Sequence, residues 1–437
     1  MSTNSTLINE KVLSNKQPSV KLLTFNTWGL KYISKYRRER LKAIADSLAH
    51  PRDPDEDYDI VALQEVWCEE DWDYFNQVCK LRYPYRRVFK AGIVSGPGLA
   101  ILSKIPITET FLYRFPINGR PSAFFRGDWF VGKSIAVTLL QPHTKNSLPI
   151  AILNSHMHAP YAQTGDASYS THRACQAWDF AKLVKMLRRG GYAVIQVGDL
   201  NSKPNSLPYK LFTIEGGLTD SWNVLHGQGH GLDIASLNPE DQILQAGATC
   251  NSILNTWRLN SKPWEACRLD YALIDADNIV PLNASVKFTG RLPPPYNCSY
   301  SDHFGYSTEL LINSQDQYVP PSMNEFDTFD DKEMLYREVL AEINDYQTHT
   351  IPFQAGWRKA HFIISCLLIV LFHVLVAFVT GWGAPWAAVL FLFITSIVAV
   401  SGCINGLIWF CGIRSESRAL SEVMLQVEDA YTFLKKQ

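Results

Sequence analysis

Residues 360–413 contain no Asp, Glu, Lys or Arg. One bilayer crossing takes roughly 20 apolar residues, so this block has room for two. The stretch TGWGAPW, from Thr380 to Trp386, interrupts it. Its glycines and proline stop a helix, and its tryptophans favour a membrane–water interface. The expectation is a hairpin of two transmembrane helices, over residues 361–380 and 387–413. A buried core hairpin is the competing arrangement, but soluble helices normally keep a polar face. Arg358 and Lys359 precede the block, Arg414 and Arg418 follow it, and the turn has no positive charge. The positive-inside rule then puts both ends in the cytosol. His373, inside the first helix, is expected to face its neighbour.

The first 20 residues hold no apolar signal-like run, so the rest of the chain is also expected in the cytosol. The sequons at Asn4, Asn283 and Asn297 should then stay unmodified. Nine cysteines, odd in number and never spaced C-x-x-C, argue against a disulfide framework or a zinc ribbon. Amphipathic stretches flank the hairpin. Leu335, Val339, Ile343 and Tyr346 share one face before it. Leu420, Met424, Val427, Tyr431 and Leu434 alternate spacings of four and three after it, a coiled-coil pattern. These seams can pair within one chain, pair between two copies as a homodimer, or dock on the preceding domain.

That domain is expected over residues 20–313. The remaining divisions are a tail (1–19), a linker with a juxtamembrane helix (314–359), the hairpin (360–413) and a closing cytosolic helix (414–437). Short runs rich in Val, Ile and Leu read as strands at 20–25, 59–63, 98–102, 134–140, 149–154, 193–197, 268–274 and 304–311. Helical periodicity appears at 35–49 and 171–189. The mixture predicts an α/β or α+β sandwich. A net charge of −1 argues against a nucleic-acid partner, since no global basic excess is present.

Most of the predicted strands lead into or out of a polar motif. In order these are Asn26-Thr27-Trp28, Gln64-Glu65, Asn154-Ser155-His156, Asp199-Leu200-Asn201, Asp270-Tyr271 and Asp302-His303. Polar groups at the carboxyl ends of sheet strands often build active sites. Glu65 would anchor Mg²⁺, which takes few protein ligands and keeps water and phosphate oxygens. Asn26, Asn201 and His156 would hydrogen-bond phosphate oxygens in the transition state. Asp270 would orient a charged His303. Each motif alone is common; the ordered set of six is not.

The set resembles the endonuclease/exonuclease/phosphatase (DNase I-like) superfamily, and within it the neutral sphingomyelinases and fungal inositol phosphosphingolipid phospholipases C. FNTWGLKYISKYRRERL from Phe25, NSHMHAPY from Asn154 and HRACQAWDFA from His172 carry the narrower likeness. The resemblance implies a four-layered α/β/β/α sandwich followed by the membrane hairpin. It implies a phosphoric diester hydrolase that releases ceramide and a phosphorylated headgroup from inositol phosphosphingolipids, with sphingomyelin as a further substrate. It places Asn26, Glu65, His156, Asp199, Asn201, Asp270, Asp302 and His303 in the catalytic centre. Glu65 and Asp302 would hold Mg²⁺, and either Asp199 or the His303–Asp270 pair would be the general base. It also implies activation by anionic phospholipid and residence in the endoplasmic reticulum or mitochondrial outer membrane. A phosphatase of inositol phosphates, or a nuclease, has the same fold and would act on soluble substrates. An inactive membrane adaptor would show no turnover.

Gly127–Ser134 matches the P-loop pattern G-x-x-x-x-G-K-[ST]. A true P-loop leads into a helix, and here the β-branched run Ile135–Leu140 predicts a strand. The resemblance instead makes Asp128 and Lys133 a regulatory pair, with Phe124, Phe125, Trp129 and Phe130 placed around it either to touch lipid or to fill core.

Overall fold

A computed structural model describes residues 19–142, 146–227, 234–321 and 329–436. The expected tail up to residue 18, with Asn4, and linker residues 322–328 lie outside the described residues.

Two six-stranded sheets form among the described residues. In spatial order the first holds β11 (Ile279–Lys287), β12 (Gly305–Ile312), β1 (Ser19–Asn26), β2 (Ile60–Gln64), β4 (Ala100–Ser103) and β3 (Tyr85–Val88). The second holds β5 (Ile107–Arg114), β6 (Ser134–Leu140), β7 (Ile150–His156), β8 (Ala193–Asp199), β10 (Asp270–Ile274) and β9 (Thr219–Asp220). Only the central pairs β1–β2 and β7–β8 run parallel. Alternate side chains of a strand point to opposite faces, and here both faces are covered. Leu22, Ile60 and Ala62 meet Ile152, Ile195 and Ala272 between the sheets. Leu23, Val61 and Leu63 point the other way, against Leu41, Ile44 and Phe75 of helices α1 (Arg37–Ala49) and α2 (Glu69–Val78). Val137, Leu153 and Val194 cover the far side of the second sheet, against Ala174 and Trp178 of α3 (Ser170–Arg189). The result is the expected α/β/β/α sandwich. The P-loop pattern runs directly into β6, so a strand follows it where a true P-loop has a helix.

Beyond the sandwich come α4 (Phe329–Asp345), α5 (Ile351–Gly381), α6 (Pro385–Leu407) and α7 (Arg414–Leu434). The chain is helical from Phe329 to Gly381 and again from Pro385 to Leu434, and both stretches are long and apolar enough to cross a membrane. α5 and α6 pack closely: a Cβ on Gly402 would lie 2.5 Å from the Ser365 side chain. Small residues permit such an approach between membrane helices. Leu367, Val370 and Phe393 face outward, which a buried core hairpin would not allow. His373 corrects the expectation made for it: it is exposed, and its ring nitrogen Nδ1 donates to the Ile369 carbonyl at 2.7 Å.

The two amphipathic seams meet within this chain. Leu335, Val339 and Ile343 share one core with Leu420, Val423 and Val427, and that core includes Trp178 of α3. The Trp178 indole and the Lys182 ammonium both donate to Gln426 Oε1, at 3.2 and 2.6 Å. The apolar seam is thus spent on pairing and docking together.

Candidate active site

Register brings the motifs to one end of the sandwich. His156 and Asp199 are partners across β7–β8, and Asp199 and Asp270 are partners across β8–β10. In the facing sheet Asn26 is the partner of Gln64, one residue before Glu65. The chain turns sharply as it leaves β1, β2 and β8, and Trp28, Glu65 and Asn201 take left-handed backbone conformations there. Such strain in non-glycine residues clusters at functional sites. Close approach fixes two glycines. A Cβ on Gly29 would sit 2.1 Å from the Glu65 carbonyl oxygen, and one on Gly198 would sit 1.9 Å from that of Ser155.

Asp199 is the hub. Its Oδ2 accepts from Asn26 Nδ2 at 3.0 Å, and lies 3.5 Å from His156 Nε2 and 3.8 Å from His303 Nε2. Its Oδ1 accepts from the Asn201 backbone N–H at 3.1 Å. Asn201 Nδ2 donates to the Met157 carbonyl at 3.0 Å, so that amide is held in place. His303 Nδ1 is 2.9 Å from Asp270 Oδ2. Asn26 Nδ2 also donates to Glu65 Oε1 at 3.0 Å, which joins the two sheets through one amide. Asp302 accepts from Arg258 at 2.7 Å. All eight residues placed in the centre by the sequence therefore converge on one region, with Asp302 already ion-paired.

Burial sets the electrostatics. Asp199 is pushed up to about 6, by burial first and then by the charge of Asp270, against the attraction of His303. Glu65 is pushed up to about 7 by burial and by the charge of Asp302. Burial resists a charge on His303, but Cys250, Asp270 and Asp199 outweigh it and hold its pKa well above the usual histidine value. His156 is driven the other way by burial and by Lys133, so it is neutral, and its Nδ1 has no hydrogen-bond partner among the described residues.

Lys133 Nζ lies 3.3 Å from Asp128 Oδ1, with both side chains almost wholly buried. Asp128 Oδ2 also accepts from the Tyr161 hydroxyl at 2.7 Å and lies 3.5 Å from His158 Nε2. Around this pair Phe124 and Phe125 are exposed, and Trp129 and Phe130 are half-buried, so none of the four fills core. The basic run from Lys31 to Arg40 is only partly available to lipid. Arg37 is buried against Asp71, and the buried Arg40 donates to the carbonyls of Thr27, Trp28 and Tyr300. Sequence reasoning missed Arg40 and Arg258 as parts of the site. It also missed Ser301, whose hydroxyl donates to the Asn26 carbonyl at 2.6 Å.

The fit for a divalent cation can be judged from the acidic groups. Glu65 makes no ion pair among the described residues, and its Oε2 receives only a long contact from the Trp67 indole, at 3.4 Å. A carboxylate whose charge is opposed by burial and by a neighbouring Asp302, with one oxygen poorly satisfied, suits a hard cation. No cluster of three His, Cys, Asp or Glu side chains fit to hold a metal occurs among the described residues. Mg²⁺ does not need one, because it keeps waters and substrate phosphate as ligands.

A two-sheet sandwich with this polar centre at one end is the architecture of a phosphoesterase. The profile of the endonuclease/exonuclease/phosphatase family matches residues 23–303, and the chain belongs to that family. It is 51% identical to the inositol phosphosphingolipids phospholipase C of Saccharomyces cerevisiae, over 97% of this chain and 93% of that one. It is 38% identical to the Schizosaccharomyces pombe protein of the same name, over 96% of each chain. Among solved structures, sphingomyelinase C from Streptomyces griseocarneus overlays with a TM-score of 0.50 at 18% identity, covering 67% of this chain and 99% of that one. That last likeness speaks to the fold.

Proposed function

We propose that this chain hydrolyses the phosphodiester of inositol phosphosphingolipids in the manner of a phospholipase C, releasing ceramide and the phosphorylated headgroup. The observation that carries the reading is the Asp199 hub, with His303–Asp270, His156 and Asn26 around one carboxylate, in a chain similar to phospholipases C along almost its whole length. Neutral His156 donates to phosphoryl oxygens as their charge grows. The Asn26 amide, whose two N–H groups donate to Glu65 Oε1 and Asp199 Oδ2, sets those carboxylates in place. Asp199 and His303 act as one proton-handling pair, because their charges are coupled, and they accept the proton of the attacking water. Asp270 orients the His303 ring. Glu65 and Asp302 would hold Mg²⁺, which when bound offsets phosphate charge. The membrane helices keep the enzyme beside its substrate at high effective concentration. Their ends and the catalytic domain face the cytosol, in the endoplasmic reticulum or mitochondrial outer membrane.

The test is headgroup release from mixed micelles containing inositol phosphoceramide or sphingomyelin, with Mg²⁺ or EDTA. The expected result is Mg²⁺-dependent release of inositol phosphate that His303→Ala removes. Release of phosphocholine alone would move the headgroup assignment to sphingomyelin. Turnover of DNA or of soluble inositol phosphates, with none on lipid, would sink the reading.

Asp128 and Lys133 are the regulatory pair of this proposal: a lipid phosphate would compete with Asp128 for Lys133. Breaking a buried ion pair from one side costs about 3–5 kcal/mol, so Lys133→Ala is expected to lose stability as well as activity. Asp128→Asn/Lys133→Met removes both charges and should keep the fold. It is expected to abolish stimulation by phosphatidylserine vesicles, read as the ratio of rates with and without them. An unchanged ratio would make the pair structural.

A further inference from the structure

Four large apolar side chains stand in solvent beside the active site. Phe125 is 101% exposed, Val94 77%, Phe124 68% and Ile93 59%. Single exposed hydrophobic residues are ordinary, but a contiguous apolar patch marks an interaction surface. These four lie on two loops that are tied together. The backbone N–H groups of Ile93 and Val94 both donate to the Phe130 carbonyl, at 3.0 and 3.2 Å. The Phe124 ring meets Phe125 and Phe130 edge-on at 5.8 and 5.2 Å. The loop of Phe124 and Phe125 also carries Asp128 and ends at Lys133, whose charge reaches Glu65, Asp199 and His156.

The same two loops abut the end of the hairpin. A cavity of about 460 Å³ has Ile93, Pro121 and Trp129 on one wall and Leu407, Cys411 and Gly412 on the other. Those last residues close the uncharged block, and Arg414 follows them at the level where a cation meets the membrane–water boundary. Polar contacts fix the loop at that height. Arg120 pairs with Asp166 and donates from Nε to the Tyr346 hydroxyl at 2.8 Å, and that hydroxyl donates to Glu416 Oε1 at 2.6 Å. Tyr346 lies in the helical stretch that runs into α5 and Glu416 in α7, which continues α6, so the extensions of both membrane helices hold the loop.

We propose that Phe124, Phe125, Ile93 and Val94 enter the headgroup layer of the bilayer that α5 and α6 cross, and so hold the mouth of the active site on the lipid surface. The proposal rests on the reading of the hairpin as membrane-spanning and of the site as a lipid hydrolase. Aromatic side chains suit this layer, where one end of a ring is apolar and its surroundings are wet. The ligand is the lipid surface itself. Its contact would place the phosphodiester at the cleft while the acyl chains stay in the bilayer.

The experiment uses the full chain in phosphatidylcholine vesicles that contain inositol phosphoceramide. Phe125→p-benzoylphenylalanine is expected to form a lipid adduct on illumination. The same substitution at Leu81, 97% exposed between α2 and β3, should form none. Phe124→Ser/Phe125→Ser is expected to lower headgroup release from vesicles about tenfold or more, since interfacial binding scales with buried apolar area. Its hydrolysis of a short-chain monomeric substrate should stay unchanged. Absence of the adduct at position 125, an adduct to protein instead of lipid, or equal loss on both substrates would overturn the proposal. The two readings separate cleanly. An adduct in a chain that releases no headgroup keeps the surface and rejects the hydrolase, and turnover without an adduct does the reverse.

Discussion

Asp199→Asn is expected to lower headgroup release by about a thousandfold, the scale of a lost acid–base group, with the melting temperature unchanged or higher. The carboxylate is completely enclosed, and burial together with Asp270 works against its charge. An amide of the same shape removes that cost while still filling the space. Its single oxygen keeps one of the two hydrogen bonds that the carboxylate accepts from Asn26 Nδ2 and the Asn201 N–H, at 3.0 and 3.1 Å, and the loss of the other is offset by removal of the buried charge. What it cannot do is share a proton with His303. Active sites commonly hold destabilising groups for function, so activity and stability should part company here. Headgroup release and thermal unfolding on the same preparation would decide it. A fall in melting temperature parallel to the loss of activity would make Asp199 a structural hub and no more.

Much of this architecture is legible in the chain, and the missed strands have one cause. The eight predicted strands are β1, β2, β4, β6, β7, β8, β10 and β12, and all of them are interior to the sheets. The four missed strands, β3, β5, β9 and β11, are the four sheet edges. An interior strand covered on both faces must read as a continuous apolar run, as Ser134–Leu140 does with every residue buried. An edge strand has no such duty. Ile107–Arg114 mixes exposed and half-buried positions, and Ile279–Lys287 carries a proline beside a register shift.

The site follows the same logic. Its carboxylates and histidines sit at the ends of interior strands, so strand boundaries point to them. Arg258, which comes from a loop, reaches Asp302 across 44 residues of sequence, and no local pattern announces that pairing. Arg40 reads as one more charge in a basic helix, yet it is fully buried and braces the turn after β1. The seam of α7 is legible as apolar spacing, but its partner is not. Any apolar face of matching period would satisfy it, and α3 with α4 supplies one within the same chain.

Glu65→Gln is expected to abolish the rise in melting temperature that Mg²⁺ gives the parent chain. A ligand bound only by the folded state, at about 100 times its Kd, stabilises by about 2.7 kcal/mol. The sign of the pH dependence follows from the same carboxylate. Its folded pKa is raised from 4.5 to about 7, so between those values the metal-free folded chain holds a proton that the unfolded chain has lost. The contribution of this group to stability is therefore full at low pH and falls as pH rises through that window. Mg²⁺ must displace that proton, so its stabilising effect should grow with pH across the same range. Gln carries neither the proton nor the charge, and both dependences should vanish together. Thermal unfolding of the two chains in Mg²⁺ and in EDTA, at about pH 5 and about pH 8, brackets the window. An equal Mg²⁺ shift in both chains would place the cation elsewhere, and the raised pKa of Glu65 would then reflect burial beside Asp302 alone.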